Sequence, residues 1–167
     1  FSMPGQDPPT WTPDNANGKF TGENLTLRQA MARSVNSVTA LIMSKISPET
    51  AVEYAKKLGV ESRLDAVPSL CLGAGGDVSV YEMVGAYSTF VNKGTFIRPY
   101  YISRIEDKNG NVIKQFVPNE KEAINEETAY VMLNMLQGTT TEPGGTALGL
   151  NRSLRENNEI GAKTGTT

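Results

Sequence analysis

At Gly94 the sequence changes period, and this switch limits the architecture more than any other feature. Before it, apolar residues recur at helical spacing in three segments. After it, "TFIRPYYISRIED" and "NVIKQFV" are β-branched and aromatic, separated by Lys108-Asn109-Gly110. An Asn-Gly pair between two such runs is a strong hairpin signal, because both residues tolerate the positive φ of a type I′ turn. A chain that spends its first half on helices and then turns to strands reads as α+β, or as a mixed α/β fold.

The helical half carries its own punctuation. Thr26 and Gln29 form a capping-box pattern ahead of "LRQAMARSVNSVTALIMSKI". Ser34-Val35-Asn36 are poor helix formers and are expected to break that run. Ser47 caps the next segment, Pro48 opens it and Gly59 ends it. "PSLCLGAGGDV" reads as a Gly-rich turn. Ser79 and Glu82 form a second capping box, with Gly94 as the stop. After the hairpin, Asn125 caps a helix that carries Glu126 and Glu127 in its first turn and is expected to stop at Gly138. Residues 139–158 then read as a long polar loop, and "EIGAKTGTT" as a strand. A lone strand cannot satisfy its backbone groups, so it is expected to lie beside the hairpin and further strands. Residues 1–24, rich in Pro, Gly, Asn and Asp, read as an irregular lead-in laid across another surface, with Trp11 and Phe20 as its possible anchors.

Composition narrows the chemistry. There is no histidine in the 167 residues, which removes Ser-His and Cys-His mechanisms. The single cysteine, Cys71, allows no internal disulfide or Cys-rich metal site and reads as a small buried hydrophobe. A net charge of -2 gives no field to attract nucleic acid, and no apolar run is long enough to span a bilayer. The methionines Met31, Met43, Met83, Met132 and Met135 read as core filling. Any nucleophilic chemistry must therefore use a lysine or a carboxylate as its base.

Two short elements fit that requirement. Lys163-Thr164-Gly165-Thr166 supplies a fixed cation, two hydroxyls and a glycine. On a strand, Lys163 and Gly165 would share one face and Thr164 and Thr166 the other, so that the two hydroxyls could bind one oxyanion. Gly165 would leave room for a substrate backbone beside the strand edge. Ser34-Val35-Asn36 offers a hydroxyl and a carboxamide at one turn. Either triplet alone has a plain alternative, a polar edge strand or a helix-breaking surface turn. Lys-Thr-Gly is expected by chance in roughly one chain in twenty-five of this size, and Ser-x-Asn in roughly every second. Together and in this order they are the second and third members of the set S-x-x-K, S-D-N and K-T-G, used by penicillin-binding proteins and class A β-lactamases. Gly73-Ala74-Gly75-Gly76 lacks the Lys-Ser/Thr of a phosphate loop, and "DKNGN" lacks the bidentate Glu of a calcium loop. Both are read as turns.

On these residues the sequence resembles the transpeptidase domain of the bifunctional (class A) penicillin-binding proteins, with its serine β-lactamase-like fold. The likeness runs through "WTPDNANGKFTGENLTLRQAMARSVN", "PSLCLGAGGDVSVYEMVGAYSTFVNKGTFIRPYYISRIEDKNGNVI", "VMLNMLQGTTTEPGGTA" and "GAKTGTT". The family's S-x-x-K element is missing, since no serine or threonine is followed by a lysine three residues on. The resemblance thus implies part of one domain over residues 1–167. Its parts would be the lead-in (1–24), a mainly helical part (25–94), and a hairpin, helix, loop and K-T-G strand (95–167). It implies acyl transfer from peptidoglycan stem peptides ending in D-Ala-D-Ala, with β-lactam antibiotics as substrate mimics and neither cofactor nor metal. Ser34 would relay a proton to the leaving group, Asn36 would bind the donor peptide, and Lys163 would supply positive potential. Thr164 and Thr166 would bind the substrate carboxylate, Gly165 would allow its approach, and the Thr166 N–H would form half of the oxyanion hole. The parent is expected outside the cytoplasmic membrane, held there by an anchor and joined to a glycosyltransferase domain. The rivals are a D,D-carboxypeptidase or β-lactamase-like hydrolase, and a non-catalytic cell-wall scaffold.

Overall fold

The computed structural model describes residues 10–150, 154 and 156–165. Among these residues the main elements follow in the order α1 (Leu27–Ala32), α2 (Asn36–Ile46), α3 (Pro48–Lys57), α4 (Val80–Val91), β1 (Thr95–Ile97), β2 (Arg104–Glu106), β3 (Val112–Gln115), β4 (Glu120–Glu122) and α5 (Glu126–Thr141). This is the mixed helical and antiparallel architecture that the change of period implies. Helix starts fall where the side chains dictate. The Thr26–Gln29 and Ser79–Glu82 capping boxes are both formed, Ser47 caps α3 ahead of Pro48, and the Asn125 side chain accepts from the Thr128 N–H. Each satisfies backbone donors that a helix start leaves unpaired.

The strands differ from the reading of one long run. The hairpin forms as β2 on β3, antiparallel, with Ile105 opposite Lys114. The run from Thr95 is nevertheless cut at Arg98-Pro99. Proline has no N–H to give to a ladder, and the residue before it is restricted as well. So β1 leaves the hairpin and pairs instead with β4, Thr95 opposite Glu122. The sequence of β4, Glu-Lys-Glu, has no strand preference of its own. It is extended because it lies against β1, with the Ala123 and Ile124 N–H groups closing on the Gly94 carbonyl at 3.0 and 3.2 Å.

Helix α5 also departs from expectation. It continues past Gly138 to Thr141, and the glycine has a packing role instead. A β-carbon there would lie 3.1 Å from Arg28 Cγ, 3.3 Å from the Arg28 carbonyl and 3.4 Å from Ala32 Cβ. The missing side chain lets α1 cross close to α5, where Ala30, Ala32, Ala129 and Leu136 are buried. Arg28 fastens this crossing. Its Nε donates to Glu142 Oε1 at 2.8 Å, its Nη2 to Thr141 Oγ1 at 3.1 Å, and its Nη1 to the backbone and side chain of Asn134. Two smaller expectations also change. Cys71 is half-buried on a 3₁₀ turn (Pro68–Leu72), and Met83 is exposed, whereas Met43 is buried.

Candidate active site

The Ser-x-Asn turn is the joint between α1 and α2. The Val35 N–H donates to the Ala30 carbonyl at 3.0 Å and the Ser34 N–H to the Met31 carbonyl at 3.1 Å. These two bonds make a Schellman ending, with Ser34 where a glycine usually sits. Ser34 accordingly has φ +53, a left-handed conformation that costs an L-residue about 1–2 kcal/mol. The turn aims its side chain out of the helix joint. Helix α2 has no side-chain cap from its own N-cap, Val35. The lead-in supplies one: Asn15 Oδ1 accepts the Ser37 N–H at 3.1 Å, and Asn36 Nδ2 donates to the Asp14 carbonyl at 2.7 Å. Among the described residues, the other amide hydrogen and the oxygen of Asn36 meet no partner.

The segment carrying Lys163 arrives from the other side. The expected strand at 159–165 is absent among the described residues. Three of its backbone groups meet the end of α5 instead of a ladder. The Ala162 N–H donates to the Leu136 carbonyl at 3.2 Å. The buried Thr139 and Thr140 hydroxyls lie 3.1 and 2.9 Å from the carbonyls of Ala162 and Ile160. Without a pleat, the alternation expected of a strand does not order these side chains, and Lys163 and Thr164 both find partners in the site.

Lys163 Nζ donates to Ser34 Oγ at 2.8 Å and to the Thr164 carbonyl at 2.6 Å. Thr164 Oγ1 donates to Thr146 Oγ1 at 2.8 Å. Partial loss of water around the Lys163 ammonium lowers its pKa below the ordinary value of 10.5. No heavy atom lies within 4 Å of a β-carbon placed on Gly165, so this side of the segment is open. Thr166 lies outside the described residues. Ser34, Lys163 and Thr164 are thus brought together, and Asn36 stands one turn from Ser34, partly engaged by the lead-in. Sequence reading passed over Thr139, Thr140 and Thr146. The runs Thr-Thr-Thr and Gly-Gly-Thr were the available signals, but hydroxyls in a polar stretch do not reveal which carbonyl they will meet.

The serine hydroxyl and lysine ammonium meet where the α1–α2 turn faces the segment that rests on α5, and solved penicillin-binding transpeptidase structures share the fold. The crystal structure of penicillin-binding protein 1A from Haemophilus influenzae matches with a TM-score of 0.81 at 25% identity, covering 100% of this chain and 30% of that one. The D,D-transpeptidase domain of a peptidoglycan glycosyltransferase from Eggerthella lenta matches with a TM-score of 0.72 at 22% identity, covering 91% of this chain and 44% of that one. At the sequence level, penicillin-binding protein 1A of Neisseria gonorrhoeae is 34% identical over 100% of this chain and 21% of its own length. The family model "Penicillin binding protein transpeptidase domain" matches residues 3–167, and the chain belongs to that family. It spans about a fifth of the length of the curated relatives it matches.

Proposed function

We propose that these 167 residues supply the second and third motif elements of a peptidoglycan D,D-transpeptidase site within a single transpeptidase domain. The observation that carries this reading is the 2.8 Å contact between Lys163 Nζ and Ser34 Oγ, from residues 129 apart in sequence. In the proposed reaction, a serine outside these residues attacks the penultimate carbonyl of a stem peptide ending in D-Ala-D-Ala. The serine–acyl bond forms, the peptide bond breaks, and D-Ala leaves as the amine. A neighbouring stem's amine then takes the acyl group and frees the serine.

Ser34 relays the proton to the departing nitrogen, and Lys163 holds Ser34 in place and supplies positive potential. Asn36 uses its remaining amide hydrogen and oxygen on the donor peptide. Thr164 and Thr166 bind the terminal carboxylate, Gly165 leaves room for it, and the Thr166 N–H completes the oxyanion hole with the nucleophile's own N–H. β-Lactams acylate the same serine. The chemistry belongs outside the cytoplasmic membrane, in a protein with an anchor and a glycosyltransferase domain. Among the described residues, no helix is long and apolar enough to cross a membrane.

The test is labelling with a fluorescent penicillin, read on a denaturing gel and by intact mass. The 167-residue chain is compared with a version extended to the length of its relatives. Stable label on the extended protein and none on the shorter one is the expected result. No label on either would overturn the reading, and label turned over within seconds would replace it with the hydrolase reading.

A further inference from the structure

Thr146 lies 18 residues from Thr164 and belongs to neither motif, yet it is the side-chain partner of Thr164, at 2.8 Å. Its backbone is held by two helices. The Thr146 N–H donates to the Ala32 carbonyl at 2.9 Å, two residues before Ser34, and the Ala147 N–H donates to the Thr139 carbonyl at 3.0 Å. Gly145 packs against that same carbonyl so tightly that a β-carbon would sit 2.4 Å from it. Thr146 therefore ties together the end of α1, the end of α5 and the Lys163–Thr164 segment.

The side chain itself is exposed, as is that of Thr164. An exposed hydroxyl has water as an alternative partner, so this contact adds little to folding stability. A rigid backbone that presents an exposed hydroxyl to another exposed hydroxyl suits a ligand better than a core. A pair of hydroxyls has two protons. One is used between them, which leaves the other to be donated outward to an anion.

We propose that Thr146 is a positioning residue of the carboxylate subsite: when the terminal carboxylate of the acyl donor arrives, the Thr164 hydroxyl turns its proton from Thr146 to the carboxylate and accepts the Thr146 proton in its place. The inference rests on the reading of Lys163 and Thr164 given under Proposed function. Through Thr164 it also steadies the carbonyl that shares the Lys163 ammonium with Ser34.

The test uses the full-length protein with Thr146→Val, which keeps the shape and loses the hydroxyl, and Thr146→Ser, which keeps the hydroxyl. Acylation by a fluorescent penicillin is resolved into its saturation constant and its limiting rate, and repeated with the penicillin carboxylate masked as a methyl ester. We expect Thr146→Val to weaken saturation about tenfold, the effect of one hydrogen bond to a charged group, with a smaller change in limiting rate. Thr146→Ser should restore it, and the deficit should shrink with the ester. Equal losses with acid and ester, accompanied by a lower melting temperature, would show a merely structural role and overturn the proposal. So would an unchanged saturation constant in Thr146→Val. Absence of label on the unsubstituted protein would instead overturn the functional reading on which the proposal rests.

Discussion

Ser34 combines two demands at one residue. The turn wants a glycine, because its φ is +53, while the proposed chemistry wants a hydroxyl beside Lys163. Strain of this kind persists where the surroundings impose it, and it can mark a site. Ser34→Gly and Ser34→Ala both remove the hydroxyl, but only glycine relieves the backbone. We expect the glycine variant to be about 1 kcal/mol more stable than the alanine variant, compared by denaturant midpoints, with both impaired in penicillin labelling of the extended protein. Lys163 yields a pH prediction. Burial lowers its pKa below 10.5, so its positive potential fades as pH rises through that lowered value. Acylation should decline on the alkaline side before pH 10.5, and Lys163→Arg, slower at neutral pH, should lose that decline because guanidinium keeps its charge. Rates measured across pH 7 to 11 decide the point. The residue types of this site were legible from the sequence. The strain at Ser34 was not, since a break between helices does not state its φ.

At the scale of elements, Glu82 joins the start of α4 to the segment after α3. Its carboxylate accepts from the N–H and hydroxyl of Ser79, from those of Ser62, and from the Glu61 N–H, at 2.7 to 2.9 Å. The donors, led by Ser79, hold its pKa down from 4.5 to about 2. A carboxylate depressed by folding contributes stability that is fully present above the unfolded value and is lost as pH falls through the folded one. The chain should therefore lose stability between about pH 4.5 and 2, and Glu82→Gln should be less stable at pH 7 but lose less over that window. Denaturant titrations at pH 7, 4.5 and 3 check both parts. The α1–α5 crossing supplies a second test. Gly138→Leu must push Arg28 and Ala32 aside, and should destabilise the chain by about 1–3 kcal/mol in the same assay. Capping of α4 could be read from Ser79 and Glu82, because both lie within one turn. That the same carboxylate also gathers Ser62 and the Glu61 N–H depends on how α4 packs, and β4 likewise takes its conformation from β1.

Over the whole molecule, large apolar side chains among the described residues stand in solvent, with Tyr101 92%, Val117 81% and Val80 80% accessible. Such surface asks for cover by more protein. The 167-residue chain alone should bind an apolar fluorescent dye strongly and self-associate in solution. A protein extended to the length of its relatives should do neither. Equal dye binding by both would mean that the added sequence leaves these faces open.

What the sequence determined by itself is local: the capped helix starts, the break at Ser34, the Asn109-Gly110 hairpin, and the residue types of the two motifs. Each depends on residues a few positions apart, whose covalent proximity makes the interaction nearly obligatory. Tertiary structure alone decided that β1 would pair with β4, that Gly138 would seat α1 instead of ending α5, and that the Lys163 segment would rest on threonine hydroxyls without forming a strand among the described residues. It also set Lys163 on Ser34 and Thr164 on Thr146. Bringing residues 129 positions apart to 2.8 Å requires the packing of every element between them, and no short stretch of sequence contains that sum.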